Sequence, residues 1–447
     1  MTLRTTPLAP ATEVSLQDIG AADILVGIPS YNNAATVGHV VRAVSAGLAK
    51  YFPKERAVLV NSDGGSSDDT TDIVTRTAVD HRHLLIADRQ SVLHRIVTPY
   101  HGIPGKGSAF RTIFEIARRL KARACAVVDA DLRSISPEWI EMLLRPILEQ
   151  GFDYVAPYYL RHKYDGTITN SLAYPLTRAL YGKQIRQPIG GEFGFSGDLA
   201  GHYVDQHVWE SEVARFGIDI WMTTEAIANG ARVCQSFLGA KIHNPKDPAS
   251  DLSGMLRQVV GSLFSSMEQH VGIWSKVQGS DPVPLFGFPY EVGVEPVHVD
   301  IESMVAHFRQ GLADLDAIWR QILTARTFEQ LQDVNADTSA GCRIPDELWA
   351  HIVYDAATAY HHRILPQEHL LKSLTPLYLG RTASFVLATQ GLTSAEAERT
   401  ISGLCQTFEQ TKPYLLTRWD EREPAITASR SDARTLPAVG GCHERVF

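Results

Sequence analysis

The sequence predicts an α/β fold, a mostly parallel sheet with helices on both faces, followed by a mainly helical C-terminal region. Three observations carry this: short apolar runs spaced along the first half, helical periodicity between them, and polar motifs placed directly after the runs. Ile24–Ile28 is a short apolar run ending at Pro29, the pattern of a strand buried on both faces. Val37, Val40, Val41, Val44 and Leu48 then repeat at helical spacing, so a helix covers the sheet. Ala57–Val60 is the next strand, and it runs into Asn61-Ser62-Asp63-Gly64-Gly65-Ser66-Ser67-Asp68-Asp69-Thr70. Ser91–Val97 reads as a third strand, followed by a helix marked by Phe110, Ile113, Phe114, Ala117 and Leu120. Ala124–Val128 is a fourth, ending at Asp129-Ala130-Asp131. Strands alternating with helices over short links form a parallel sheet, and such sheets bind ligands at the carboxyl ends of their strands. Ser30–Asn33, Asp63–Asp69, Gly105–Gly107 and Asp129–Asp131 all fall at that edge.

Composition narrows the function classes. The chain has 447 residues, 42 Lys+Arg against 50 Asp+Glu, a net charge of −8, 44% hydrophobic and 21% charged residues. That composition excludes wholesale disorder, and the acidic balance without a Lys/Arg block argues against a nucleic-acid partner. Five scattered cysteines without a C-x-x-C pair exclude a disulfide scaffold or cysteine-rich zinc site and suit a reducing cytosol. No apolar run approaches the ~18 residues of a spanning helix, and Met1–Pro10 lacks a signal-peptide core. A soluble, cytoplasmic protein is expected.

The expected organisation is a loose leader over 1–22, an α/β domain over 23–275, a Pro/Gly/Val-rich linker or crossover over 276–298, a helical domain over 299–424 and a loose tail over 425–447. Val305, Phe308, Leu312, Leu315, Trp319 and Ile322 form an apolar seam at helical steps. It reads either as core or as a self-association face, and a homodimer or higher homo-oligomer is expected. Leu348–Tyr360, Gln367–Ala388 and Ala395–Phe408 read as further helices.

Each motif has a functional and a plain reading. Asp129 and Asp131 leave a strand on one side of the chain, as two hard oxygen ligands suited to Mg²⁺ or Mn²⁺, or as solvated acids opening a loop. Asp63 at its strand end suits a nucleobase or ribose, whereas Ser66–Thr70 reads as an N-capped helix start. Lys106 between two glycines places one charge near a phosphate, without the spacing of a P-loop. Gln187-Pro188-Ile189-Gly190-Gly191-Glu192 reads as a ligand-facing loop. Asp219 and Glu225 follow in apolar company, Glu225 better as a salt-bridge partner, and His243 follows the strand-like Ala231–Ala240.

Taken in order, Pro29–Asn33, Asp63–Thr70 and Asp129–Asp131 resemble the nucleotide-sugar half of a GT-A glycosyltransferase. Gly105-Lys106-Gly107, Gln187–Glu192, Gly217-Ile218-Asp219 and His243 are similar to the retaining enzymes that form glycosylglycerates, across residues 23–270. The resemblance implies a GT-A fold, a metal-dependent hexosyltransferase and Mg²⁺ or Mn²⁺ held by Asp129, Asp131 and His243. It places Pro29, Tyr31, Asn33, Asp63, Lys106, Asp129, Ala130, Gly190, Gly191 and Glu192 at the donor. Thr167, Thr169, Asn170, Gly190 and Asp219 fall at the acceptor, and Asp219, Lys106 and Ile189 at the catalytic centre.

The phosphoglycerate enzymes of this group carry an arginine two residues before the acceptor threonine, and this chain has Thr167 there. A neutral hydroxyl does not replace a charge-assisted fork. Transfer of a hexose (glucose favoured, or mannose) from a GDP-linked donor to the 2-hydroxyl of D-glycerate is therefore expected, with Thr167→Arg shifting preference toward a phosphorylated acceptor. Arg161, His162 and Lys163 are the nearby cations that would overturn this. The alternatives are a glucosyl-3-phosphoglycerate synthase, an inverting family-2-type transferase acting on a polysaccharide or lipid, a nucleotidyltransferase and a non-catalytic nucleotide-sugar-binding protein.

Overall fold

The computed structural model describes residues 8–77, 91–242, 252–290, 293–294, 297–336 and 342–421. Residues 1–7, His243 and the expected tail over 425–447 lie outside the described residues.

The chain opens with α1 (Pro10–Ile19), then alternates β1 (Ile24–Ser30), α2 (Val37–Tyr51), β2 (Ala57–Asp63), α3 (Thr70–Arg76), β3 (Leu93–Pro99), α4 (Lys106–Arg119), β4 (Ala124–Val127), α5 (Pro137–Gln150) and β5 (Tyr154–Leu160). A helix then begins at Thr167, passes through a π turn (Thr169–Ala173) and continues as α6 (Tyr174–Tyr181). Next come β6 (Lys183–Gln184), β7 (Phe193–Ser196), α7 (Gly197–Asp205), α8 (Ile218–Ala228) and β8 (Val233–Ala240). After them stand α9 (Ser253–Gln269), α10 (Val271–Trp274), β9 (Asp281–Pro282) and β10 (Leu285–Phe286). Six helices close the described chain: α11 (Ile301–Asp314), α12 (Asp316–Ile322), α13 (Ala325–Ala336), α14 (Asp346–His361), α15 (Gln367–Thr389) and α16 (Ser394–Asp420).

The main sheet has the order β10-β8-β5-β7-β4-β1-β2-β3, with β7 antiparallel to both neighbours and the other pairings parallel. Alternate residues face opposite layers, as the strand period requires. Leu25, Val58 and Cys125 pack with Phe110 and Ile113 of α4, while Ile24, Val26 and Ala126 pack with Val40 and Val44 of α2 and Ile140 of α5. This is the α/β arrangement expected, a mostly parallel sheet with helices on both faces and a helical region after it.

Four boundaries differ from the sequence reading. The leader is not loose throughout, because Thr12 and Leu16 of α1 are buried and Thr12 Oγ1 donates to Thr98 Oγ1 at 2.8 Å. The 276–298 stretch contributes two short strands, β9 against β6 and β10 against β8. Helix α16 runs on past Phe408 to Asp420, through Pro413. The helical region also has no core of its own. Ile168, Leu172, Leu256 and Phe264 share one cluster with Phe308, Trp319, Trp349 and Tyr378.

That cluster corrects the self-association reading of the seam. Phe308, Leu312, Trp319 and Ile322 are buried within the chain, and Val305 and Leu315 pack against the same core.

Candidate active site

A cleft of about 890 Å³ opens at the carboxyl edge of the sheet. Sheet order fixes what lies where along it. The loops after β1, β2 and β3 bring Tyr31, Gly64 and Tyr100 to one end; β4 and the start of β7 bring Asp129 and Gly191 to the middle; β5 and β8 bring Arg161 and Lys241 beyond them.

At the first end the loops are tied together by side chains. Asn32, in the left-handed region at φ 53°, accepts from the Ser67 N–H at 2.9 Å, and its own N–H donates to Ser66 Oγ at 2.9 Å. The Asn33 N–H donates to Thr70 Oγ1 at 2.8 Å, and Asn33 Oδ1 accepts from the Tyr31 N–H at 2.8 Å. Pro29, Tyr31 and Asn33 line the cleft as expected, with Tyr31 62% exposed and able to offer a ring face to a base. Asp63 does not line it. Its carboxylate accepts from Ser30 Oγ, Ser66 Oγ and the Gly65 and Ser66 N–H groups at 2.7–2.9 Å, which fills its acceptor positions. Asp63, expected at the donor, braces the turn after β2 from within.

The middle depends on the antiparallel strand. Val127 of β4 is paired antiparallel with Phe193 of β7, so Asp129, two residues after the one, meets Gly191, two residues before the other. Gly191 has φ +96°, and a Cβ there would sit 2.4 Å from Asp129 Oδ2, so a larger residue would push the carboxylate aside. Asp129 is held from both sides, with Oδ1 at 2.8 Å from Lys106 Nζ and Oδ2 at 3.1 Å from Lys241 Nζ. Lys241 also donates to the Gly190 carbonyl at 2.8 Å and reaches both Glu192 oxygens at 2.8 and 2.9 Å. Glu192 lies behind the cleft wall and accepts a further bond from the Tyr159 hydroxyl. Glu192, expected at the donor, stands in this structure as a buried counter-ion to Lys241.

Lys106 stands at the first position of α4 and reaches Asp219, in the first turn of α8, at 3.1 Å. The flanking glycines serve packing here. A Cβ on Gly107 would meet the Val213 carbonyl at 1.8 Å, and one on Gly105 the Ala214 carbonyl at 2.6 Å. Their absence lets the 212–217 segment close on α4 and carry Asp219 to Lys106.

These buried charges set one another's titration. Burial raises the Asp129 pKa, but the Lys106 and Lys241 charges outweigh it and hold the carboxylate below its usual range. Burial dominates at Glu192 and pushes it up to about 7, against the pull of Lys241. Burial likewise raises Asp219, opposed by Lys106. Both lysines are disfavoured by burial yet held protonated by the carboxylates around them.

The far end is formed by the segment after β5. Arg161 lines the cleft; its Nε has no hydrogen-bond partner, and Nη1 stands 3.7 Å from Asp165 Oδ2. The first helical turn from Thr167 adds backbone N–H groups without intrahelical partners. Thr167, Thr169, Ile189 and Gly190 line the cleft, whereas the Thr167 hydroxyl is bound to Tyr378 at 2.5 Å. Asn170, expected at the acceptor, does not line the cleft. Its amide donates to the Asp165 carbonyl at 3.2 Å and accepts from Arg186 at 2.9 Å, outside the cleft. Lys163 is likewise engaged elsewhere, on backbone carbonyls of the 389–392 turn. Glu225 is held by His202 at 2.6 Å and His270 at 3.1 Å, the salt-bridge role expected of it.

The metal residues need separate statement. Asp131 and Ala130 line the cleft, and Asp131 has no ion-pair partner among the described residues, so its carboxylate fits a hard cation. Asp129, with both oxygens on lysines, stands here as a counter-ion and not as a free ligand. Among the described residues no three His, Cys, Asp or Glu side chains converge on one point.

Lys241 is the residue that sequence reasoning missed. It follows β8 directly, so the rule that singled out Asp63 and Asp129 at strand ends applied to it as well.

The comparisons with known proteins follow from this geometry. No curated protein matches the chain. Among solved structures it is similar to glucosyl-3-phosphoglycerate synthase from Mycobacterium tuberculosis in complex with Mg²⁺ and uridine-diphosphate, at 22% identity over 59% of this chain and 86% of that one, TM-score 0.41. The same synthase in complex with Mn²⁺, UDP-glucose and phosphoglyceric acid is matched at 22% identity over 60% of this chain and 88% of that one, TM-score 0.41. A match to a protein-family model covers the part of the chain from β1 to the start of α7: residues 25–197 fit the family described as Glycosyl transferase family 2.

Proposed function

We propose that the chain is a retaining glycosyltransferase that moves a hexose, glucose by preference, from a nucleoside-diphosphate sugar to the 2-hydroxyl of D-glycerate. The observation that carries this is the order of chemistry along one cleft: the exposed aromatic face of Tyr31, the Lys106–Asp129–Lys241–Asp219 charges, then Arg161 and Thr169. A nucleoside, a diphosphate-linked sugar and a small anionic acceptor need those groups in that order. The family-2 match over residues 25–197 supports sugar transfer as the class of reaction.

Each ammonium has three protons to give. Lys241 has all of its own on Asp129, Gly190 and Glu192, so it fixes the sugar-binding loop and is not a ligand contact. Lys106 has two partners, Asp129 and Asp219, and keeps one proton for a diphosphate oxygen. Asp131 is the residue that would hold Mg²⁺ or Mn²⁺, whose charge would offset that of the departing diphosphate. Asp129 and Glu192 are both neutralised by lysines, which leaves neither as a covalent nucleophile and favours front-face transfer with retained configuration. Asp219 orients the acceptor hydroxyl, and positioning by the Gly190 and Gly191 backbone supplies much of the rate. Arg161 offers the acceptor carboxylate a charged partner.

A second reading, inverting transfer with Asp219 as general base, is favoured by the family-2 match and by the raised Asp219 pKa. Release of nucleoside diphosphate from GDP-glucose and UDP-glucose, with D-glycerate, 3-phosphoglycerate or glucose as acceptor, tests the assignment. Stimulation by D-glycerate and a product with the donor's anomeric configuration by NMR are expected. Inverted configuration would establish the second reading, and release indifferent to any hydroxy acid would defeat both.

A further inference from the structure

We propose that the C-terminal helices hold the acceptor end of the cleft in its binding shape, with Lys163 and Tyr378 as the positioning residues. The inference rests on the acceptor assignment above for its kinetic consequence, though its structural core does not.

Segment 161–171 faces two ways. All of 161–169 but Lys163 line the cleft, while Lys163, Tyr164, Thr167 and Ser171 are hydrogen-bonded to helices far along the chain. Lys163 Nζ donates to the carbonyls of Thr389 at 2.7 Å, Gln390 at 3.2 Å and Leu392 at 2.7 Å. Those carbonyls lie at the C-terminus of α15 and the turn beyond it, where a helix has no donors of its own and where its dipole favours a cation. The same helix carries Tyr378, whose hydroxyl meets Thr167 at 2.5 Å in a buried contact. Tyr164 donates to the Val386 carbonyl at 3.4 Å, and Trp349 of α14 donates to the Ser171 carbonyl, in the π turn, at 2.6 Å.

These polar ties are additional to the packing that docks α15. Its apolar face is already in the shared core through Leu374, Leu377 and Tyr378 against Phe308 and Leu312. A core needs no lysine that crosses from a loop more than two hundred residues earlier, and this half-buried one places all three of its donations on the carbonyls of a single helix end. The ties instead fix a backbone that, among the described residues, has no hydrogen-bonded strand neighbour beyond Leu160, between Arg161 and the π turn. The donor end, made by loops after β1 and β2, makes none of these contacts. Acceptor affinity should therefore depend on Lys163 and Tyr378, and donor affinity should not.

The test uses the full chain with Lys163→Met and, as a milder variant that keeps the ring in the core, Tyr378→Phe. Amide hydrogen exchange over 161–171 is expected to quicken about ten-fold or more in Lys163→Met, with β1 and β4 unchanged. The KM for D-glycerate should rise by a similar factor, while donor KM and kcat stay within about two-fold. Exchange over 161–171 unchanged in both variants overturns the clamp whatever the enzyme acts on. Donor and acceptor KM rising together, with faster exchange throughout the sheet, overturns it too, as general loosening. Wild-type protein that transfers to no hydroxy acid would end the functional reading alone, and the exchange result would still decide the clamp.

Discussion

Replacing Lys241 by methionine keeps the length of the side chain and deletes the charge that joins three loops. Lys241 is 5% exposed and Glu192 fully buried, so no water replaces the lost ammonium. Asp129 retains Lys106, and Glu192 retains the Tyr159 hydroxyl, but the Gly190 carbonyl loses its donor. Removing one partner of a buried pair destabilises by about 3–5 kcal/mol. The loss should depend on pH. Glu192 has its folded pKa pushed up to about 7, above its ordinary 4.5, so its proton is held more tightly in the folded state. Its contribution to stability is full below the ordinary value and declines as pH rises toward the folded one. Lys241 is the group that limits that rise. Without it the folded pKa climbs further and the decline extends to higher pH, by about 1.4 kcal/mol for each added unit. Urea denaturation should therefore show a larger Lys241→Met deficit at about pH 8 than at about pH 5.5, and Glu192→Gln in the same chain should recover part of it. A deficit equal at both pH values, unrelieved by Glu192→Gln, would refute the view that Lys241 and Glu192 act as a buried pair.

Gly191→Ala puts a methyl 2.4 Å from Asp129 Oδ2 at a backbone φ of +96°. It should cost about 1–3 kcal/mol in denaturation and lower kcat/KM by about a hundred-fold. Lys412→Met strands the carbonyls of Ala179, Trp274 and Val277, which the ammonium binds at 2.6–3.0 Å. A loss of about 2–4 kcal/mol with unchanged KM values is expected, because these bonds dock α16 far from the cleft. Asp131→Ala should nearly abolish turnover and weaken binding of Mg²⁺ or Mn²⁺ by calorimetry, with the melting transition intact; turnover undiminished by it, or by EDTA, would remove Asp131 from the site.

The strands β1, β2 and β4 were legible because burial on both faces removes all polar residues from a run, and few other structures demand that. The polar edge was legible for the same reason, since Asp63 and Asp129 each end or follow such a run. What those residues do there was less legible. Asp63 and Asp129 were read as ligands for something bound, whereas the fold uses their oxygens on Ser30, Ser66, Lys106 and Lys241. Ser30, Lys106 and Lys241 stand 33, 23 and 112 residues from the carboxylates they meet, which leaves no local signature. The antiparallel β7 is four residues long, too short for periodicity to register, yet it sets Gly191 against Asp129. The glycines around Lys106 have a second cause that the sequence did not show, because their missing Cβ atoms admit the backbone of 213–215. Seam residues such as Phe308 and Trp319 announced a buried face, but an apolar stripe does not say whether the same chain or another covers it.

The acceptor argument changes most. Thr167 stands where an arginine would grip a phosphate, and from sequence alone Thr167→Arg should turn preference toward a phosphorylated acceptor. In the structure Thr167 is 2% exposed, its hydroxyl against Tyr378. A guanidinium there must either displace that ring or swing fully into the cleft, so overpacking of about 1–3 kcal/mol is expected before any gain in affinity. On the reading proposed above, the charge offered to the acceptor is instead that of Arg161, six residues earlier, which lines the cleft. Arg161→Gln should raise the KM for D-glycerate about ten- to a hundred-fold, the worth of one charge-assisted pair, and leave donor KM unchanged. Thr167→Arg should lower the melting temperature and weaken both D-glycerate and 3-phosphoglycerate. Steady-state kinetics of the two variants with both acceptors decides between the positions: a clean switch to 3-phosphoglycerate in Thr167→Arg, with Arg161→Gln silent, would return selectivity to residue 167.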